Sequence, residues 1–415
     1  MRDLRLGLFL GLRQIQRASL WTTLLIITVI LFTFMNLVAL SGILIGIIDG
    51  SLREVRSQAL GDITINPLDG ETRLKETERL VNELGTYDEI KAFSPRYTGL
   101  ATIEANYKER RNLALDPDVV GATITGIDPE AEDATTNLSQ LVAEGEYLRS
   151  DESGYILLGK YLVERYAIEF GDVFQSLANI YPGSVVKVTI GDESREFTVK
   201  GIVDSKVDLV SLGAYIPERE FRRMFDRADY NANQIAVRLH DGYSETTIRD
   251  QMRQTDLVEL AKINSFTEDI PKFIADIRQT FDILGLFTGA IGLAVASITI
   301  FIVIFINALS RRRQIGILKA VGITKRTIEY AYVTQAAFYA IIGSTLGILI
   351  THFGLVPYFL ENPIDFPFSN ASLSISLEGM INRSSALLVV TLIAGFVPAW
   401  MITRQNTLSA ILGRK

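Results

Sequence analysis

The sequence predicts an α-helical membrane protein with four transmembrane helices plus a large α+β extracytoplasmic domain inserted between the first and second. Three observations predict it. Apolar residues gather into four blocks, Leu20–Ile48, Ile283–Leu309, Tyr330–Val356 and Ala386–Ile402, and about 20 helical residues cross a bilayer core. Between the first two blocks the pattern becomes short period-two runs alternating with short helical ones. Charge is also segregated: residues 49–281 hold about 27 basic and about 42 acidic side chains, the remainder about 14 and about 6.

The organisation that follows is 1–19 as a cytoplasmic surface helix, 20–48 as the first transmembrane helix, 49–280 as the outer domain with stalk helices at its ends, and 281–415 with the other three spans. A mean hydropathy of +0.23 with 21% charged residues suits that mixture and neither an ordinary soluble protein nor an all-membrane one. Cations are held on the cytoplasmic side of a membrane during insertion. The segment Ser310–Thr327 carries Arg311, Arg312, Arg313, Lys319, Lys325 and Arg326 with no acid, and the N-terminal tail has Arg2, Arg5, Arg13 and Arg17 against Asp3. Both termini are therefore expected inside and residues 49–280 outside. There are no cysteines and two histidines, His240 and His352. Those counts argue against disulfides, thiolate chemistry and a His-based metal site.

Met1–Ser19 places Leu4, Leu8, Leu12 and Ile15 at helical spacing among Arg5, Arg13 and Arg17, the composition of an amphipathic helix lying on membrane lipids. Leu20–Ile48 is longer than a bilayer requires, and Asp49–Arg56 keeps a helix-compatible composition, so this helix is expected to project outward. Asp269–Asp282 repeats Ile270, Phe273, Ile274, Ile277 and Phe281 at intervals of three and four, a second projecting helix. Between them, strands are expected at Asp62–Pro67, Ile90–Phe93, Leu100–Tyr107, Gly121–Ile127, Gly154–Leu158, Val185–Ile190, Glu196–Val203, Gln234–Leu239 and Val258–Ile263. Gly191-Asp192 marks a hairpin. Helices are expected at Thr72–Leu84, Lys160–Ile168, Pro217–Phe225 and Tyr243–Gln254. Glycines four apart recur in the first three spans, as Gly42 and Gly46, Gly285 and Gly289, and Gly343 and Gly347. That spacing lets helix backbones approach closely.

Enzyme motifs are scarce. Gly154–Tyr161 fits G-x-x-x-x-G-K, but Tyr161 stands where a P-loop needs a Ser or Thr hydroxyl on magnesium, and the segment falls in the domain placed outside. No Gly-x-Ser-x-Gly elbow and no His-Glu-x-x-His are present. His352 near the outer end of its span reads as interfacial, and the spans lack the buried charge of an ion-driven transporter. No catalytic residue, cofactor, metal or nucleic-acid partner is expected.

After the three arginines that close the second span, Gln314-Ile315-Gly316-Ile317-Leu318-Lys319-Ala320-Val321-Gly322 is too short to cross a membrane and too apolar for a loop that meets only water. It is expected to be a handle on which a cytoplasmic partner docks. At this point Arg311–Gly322 resembles the R-x-x-E-I-G-I-x-x-A-x-G signature of the FtsX-like permeases, membrane subunits of ABC transporters of the MacB/LolC/LolE type. Ile124–Pro129, Gly154–Lys160 followed by Gly171-Asp172, and Phe197–Val203 are similar to that group's periplasmic core domain. Pro398-Ala399 and Asn406–Ile411 resemble its C-terminal ending. Gln314 replaces the usual Glu, and Thr407 the usual Pro.

The resemblance implies two permease subunits, identical or sister chains, in a bacterial cytoplasmic membrane, working with a cytoplasmic ABC ATPase subunit bound at Gln314–Gly322. It implies motion relayed to the outer domain, and extrusion or extraction of a lipoprotein, peptide or hydrophobic drug, with a periplasmic adaptor or lipoprotein as a further partner. The alternative it offers is an FtsX-like signalling subunit that activates a cell-wall hydrolase.

Overall fold

The computed structural model describes residues 2–108, 117–167, 175–227, 229–270, 272–366 and 369–404. It divides into two compact units, one of residues 1–49, 276–366 and 370–415, the other of residues 50–275 with 367–369. The motif residues Gly171-Asp172 and Asn406–Ile411 lie outside the described residues.

Among the described residues, the membrane unit contains four helices long and apolar enough to cross a bilayer. The first span begins at Leu20 and stays α-helical to Val55, and the second runs from Lys272 to Ser310. The third runs from Lys325 to Ile350, passes through a π-helical turn, Thr351–Leu355, and ends as Val356–Glu361. The fourth is Leu377–Thr403, with Pro398 inside it. Their shared core joins Ile30 and Phe34, Ile304, Tyr332, Leu387 and Ala394. Outward-facing side chains such as Phe287, Ile291, Val295 and Ile298 stay exposed, as lipid-facing positions should.

Small residues set how closely these helices approach. A β-carbon built on Gly343 would lie 2.7 Å from Ile30, and one on Gly347 2.4 Å from Phe34, so the first span lies directly on the third. Gly42 and Gly46 meet no helix: they face the extended segment before the fourth span, where Ser372 O would be 1.6 Å from a Gly46 β-carbon. Gly289 is in ordinary contact with Leu37 at 3.6 Å, and Gly285 has nothing within 4 Å.

The N-terminal helix, Arg2–Gln16, carries a further glycine pair four apart, outside the spans. Gly7 and Gly11 rest on the third span, with Tyr330 Cβ 2.5 Å and Ala331 O 2.7 Å from their would-be β-carbons. Asp3 accepts hydrogen bonds from the hydroxyls of Thr324 and Thr327, both at 3.1 Å, at the start of that span. Leu4, Leu8 and Leu12 remain exposed.

Among the described residues the outer unit has ten strands: β1 (Ile63–Asn66), β2 (Ile90–Ala105), β3 (Asp118–Ile127), β4 (Val142–Gly145), β5 (Tyr155–Gly159), β6 (Val185–Ile190), β7 (Glu193–Val203), β8 (Gly213–Pro217), β9 (Gln234–Leu239) and β10 (Lys262–Ser265). They form one sheet in the order β10-β1-β9-β2-β3-β8-β5-β7-β4, with β6 paired to β2 and β7. β3–β8 and β5–β7 are parallel and the other pairs antiparallel. Alternate residues such as Ile103, Ile124, Val186, Val188, Phe197 and Val199 point into one core, the period-two pattern of a half-buried sheet.

Differences from the sequence expectations have physical causes. The two runs expected at Ile90–Phe93 and Leu100–Tyr107 are one sixteen-residue strand, because β9 pairs across Pro95 and β3 takes over from Tyr97. Strands β4 and β8 are only four and five residues long and too short to show a period. The strand expected at Val258–Ile263 sits later, because β10 is placed by its pairing with β1, Ile63 opposite Ser265.

Candidate coupling elements

The handle forms a helix, Arg312–Ala320, followed by a turn at Gly322, whose φ of 96° suits glycine. Its two faces differ. Ile315 and Gly316 are buried, Ile315 within the membrane unit's core. Lys319 donates from Nζ to the main-chain oxygen of Thr403 at 3.0 Å, at the C-terminal end of the fourth span, where a cation meets the negative end of the helix dipole. Ile317 is 49% exposed and Val321 79% exposed. Gln314, Ile317 and Val321 follow at three and four residues and form one open stripe, with Ala320 beside it. Leu318 is half-buried. The helix is thus fixed by one face and bare on the other.

The second element is the root of the first span in the outer unit. Beyond Val55 the helix closes with a π turn, Arg56–Leu60, and the last carbonyls of any helix lack partners within it. Here the Gly61 amide donates to Arg56 O at 3.0 Å, and two arginines supply further donors. Arg96, on β2, donates from Nη1 to Ala59 O at 2.5 Å. Arg238, on β9, donates from Nη2 to Ser57 O at 2.9 Å and Arg56 O at 3.2 Å.

Each guanidinium is held from behind. Arg96 grips Glu132 through Nε at 3.0 Å and Nη2 at 2.6 Å, with side chains 12% and 3% exposed. Burial alone would push the Glu132 carboxyl up, yet the facing Arg96 guanidinium and its hydrogen bonds hold it below the usual carboxylate range. Arg238 donates from Nε to Thr135 O at 3.0 Å and lies 3.5 Å from Asp62. Burial pulls its pKa down despite that carboxylate. Glu132 and Thr135 sit on one short helix, Pro129–Thr136.

Asp62 closes the arrangement. It accepts from Arg56 Nε at 2.6 Å and from the Leu239 amide at 2.8 Å. Gly61, with φ 76°, brings the chain so close to β9 that Val237 O would lie 2.6 Å from a β-carbon there.

The third element is the return toward the second span. β10 leads through the short helix Phe266–Asp269, opened by a capping box at Ser265 and Glu268. Asp269 accepts from Asn66 Nδ2 at 2.6 Å, from Asn264 Nδ2 at 2.7 Å and from the Thr64 hydroxyl. The chain therefore enters the sheet on β1 and leaves it on β10, its hydrogen-bonded neighbour, with a polar lock at each end.

The remaining candidates acquire ordinary roles. Residues 155–159 of the P-loop-like stretch are strand β5 itself, and Lys160 is ion-paired with Asp204, so no loop is left to cradle phosphate. His352 lies exposed in the π turn of the third span, edge-on to Phe353. Among the described residues no cluster of three or more His, Asp or Glu could hold a metal.

Residues 23–255 match the family model of the MacB-like periplasmic core domain, and residues 286–407 that of the FtsX-like permease C-terminal region. The macrolide export ATP-binding/permease protein MacB of Campylobacter jejuni subsp. jejuni serotype O:23/36 (strain 81-176) is 24% identical over 301 residues, 70% of this chain and 45% of the relative. MacB 1 of Yersinia pestis bv. Antiqua (strain Antiqua) is 22% identical over 223 residues, 52% of this chain and 33% of the relative. The chain thus spans less than half the length of these relatives. Among solved structures, the periplasmic region of MacB from Actinobacillus actinomycetemcomitans aligns with a TM-score of 0.37 and 18% identity, covering 56% of this chain and 97% of that one. The extracellular domain of the noncanonic ABC-type transporter YknZ from Gram-positive bacteria aligns with a TM-score of 0.32 and 14% identity, covering 49% and 98%.

Proposed function

Because this chain belongs to the family of ABC transporter permeases that carry a MacB-like periplasmic core domain before an FtsX-like C-terminal region, we propose that it converts ATP hydrolysis on a partner ATPase into movement of its outer domain. The ATPase docks on the open stripe of the handle. A second permease subunit, identical or a sister chain, completes the assembly. Residues 49–280 lie outside the cytoplasmic membrane and both termini inside, as the arginine-rich handle and N-terminal helix support. The cargo is a lipoprotein, peptide or hydrophobic drug, expelled or extracted on the outer side. ATP chemistry belongs to the partner and no catalytic residue to this chain.

One observation carries the reading: the handle is anchored to the membrane unit by Ile315 and Lys319 while Ile317 and Val321 stand bare. A push on the bare face is transmitted to the ends of the second, third and fourth spans. The test replaces the bare residues and spares the anchor. Ile317→Asp with Val321→Asp should lower co-purification of the ATPase from native membranes at least tenfold, about 1.4 kcal/mol, without shifting the melting temperature. Ile315→Asp should instead destabilise the permease. Unchanged ATPase recovery with the double variant would refute the docking face.

A further inference from the structure

Arginines on adjacent strands of a packed sheet are costly to bury, and this chain directs two of them at the same target. Arg96 and Arg238 hold the terminal carbonyls of the first span, the negative end of a long helix dipole. The same two cations hold the helix Pro129–Thr136 through Glu132 and Thr135. Span, sheet and helix are thus pinned at one point by charge-assisted bonds, which are shorter and stronger than neutral ones. Val55 and Ala59 also pack into an apolar cluster at this joint, and the guanidinium bonds add a directionality that dispersion contacts lack. A guanidinium fork fixed to named carbonyls resists both rotation and axial slip.

We propose that Arg96 and Arg238 are positioning residues of the transport cycle, a clutch that makes any displacement of the first span a displacement of the outer domain. The proposal rests on the relay reading above and adds the place where the relay engages. Arg56 contributes from the helix side through Asp62 and Glu245, at 2.6 and 2.9 Å. Released, the span would still respond to the ATPase, and the sheet would lag behind it.

The chain has no cysteine, so introduced thiols are the only labelling sites. In the full chain reconstituted with its ATPase in nanodiscs, spin labels at Ser310→Cys and Asp192→Cys should report an ATP-dependent distance change. A second pair, Arg53→Cys and Asp192→Cys, should keep a fixed separation. In Arg238→Gln the first change should shrink at least threefold and the second distribution broaden, while ATP turnover continues, an uncoupling that a merely structural role would not produce. If Arg238→Gln fails to fold, Arg96→Lys keeps the charge facing Glu132, removes the fork and carries the same expectation. An unaltered distance change in a folded variant overturns the clutch alone. No ATP-dependent change in the unsubstituted chain overturns the relay and the clutch with it.

Discussion

Glu132 is almost wholly buried and bound by a guanidinium, so its ionisation is tied to the stability of the outer unit. Its pKa is lowered in the fold. The stabilisation it supplies is therefore complete above the ordinary glutamate value, about 4.3, and is lost as pH falls from there through the depressed value. Glu132→Gln should cost about 3 kcal/mol at pH 7, because it strands a buried Arg96. It should also flatten the acid limb of a denaturant-midpoint profile between pH 7 and 3. A variant whose acid limb matches the parent's would show that other carboxylates govern acid unfolding. At this scale the sequence was only partly legible. The string Arg311–Gly322 announced a handle, yet nothing in it said that Ile315 turns inward while Ile317 stays bare, since both lie on the same apolar run. Arg96 and Arg238 were more deeply hidden. An arginine in a strand reads as solvent-facing, and only the carbonyls arriving from the first span give these two a buried purpose. Arg238 alone left a trace, one cation in the otherwise apolar run Ile235–Leu239.

Elements were easier to read where a period was long. The four spans and the Val185–Ile190 hairpin strand need no tertiary information, because their burial is set by lipid or by strict alternation. Short strands such as β4 and β8 exist only because neighbours pair with them. The N-terminal helix lies between these cases. Its leucine spacing predicted the helix, and Leu4, Leu8 and Leu12 are exposed as a lipid-facing row would be. Its second attachment, Gly7 and Gly11 seated on the third span, has the four-residue spacing of the pairs inside the spans but lies in a helix whose composition speaks only of a lipid surface. Gly11→Leu should force the two helices apart, an overpacking cost of about 1–3 kcal/mol. Limited proteolysis in detergent should then cleave near Arg13 and Arg17 faster than in the parent, with the outer unit unaffected. Equal cleavage rates would mean that Asp3 and the leucine row suffice to hold the helix.

At the scale of the whole molecule, the chain is a membrane bundle interrupted by an insertion that folds around its own core. The charge split between residues 49–281 and the rest follows the same division. Family and fold class were legible because both depend on long-range composition and on a motif at one joint. What composition cannot carry is how the insertion is fastened, and that resides in four-residue strands and single side chains.

Strands β1 and β10, where the insertion starts and finishes, run side by side with Ile63 opposite Ser265. An insertion whose ends meet is a cassette: residues 50–270 should be excisable as a water-soluble protein with one cooperative melt. Joining its ends by a glycine linker long enough to span the helical segment 50–60 should raise that melting temperature by several degrees, because a circular backbone has fewer unfolded conformations to lose. The same adjacency would let the cassette be transplanted onto an unrelated pair of antiparallel helices.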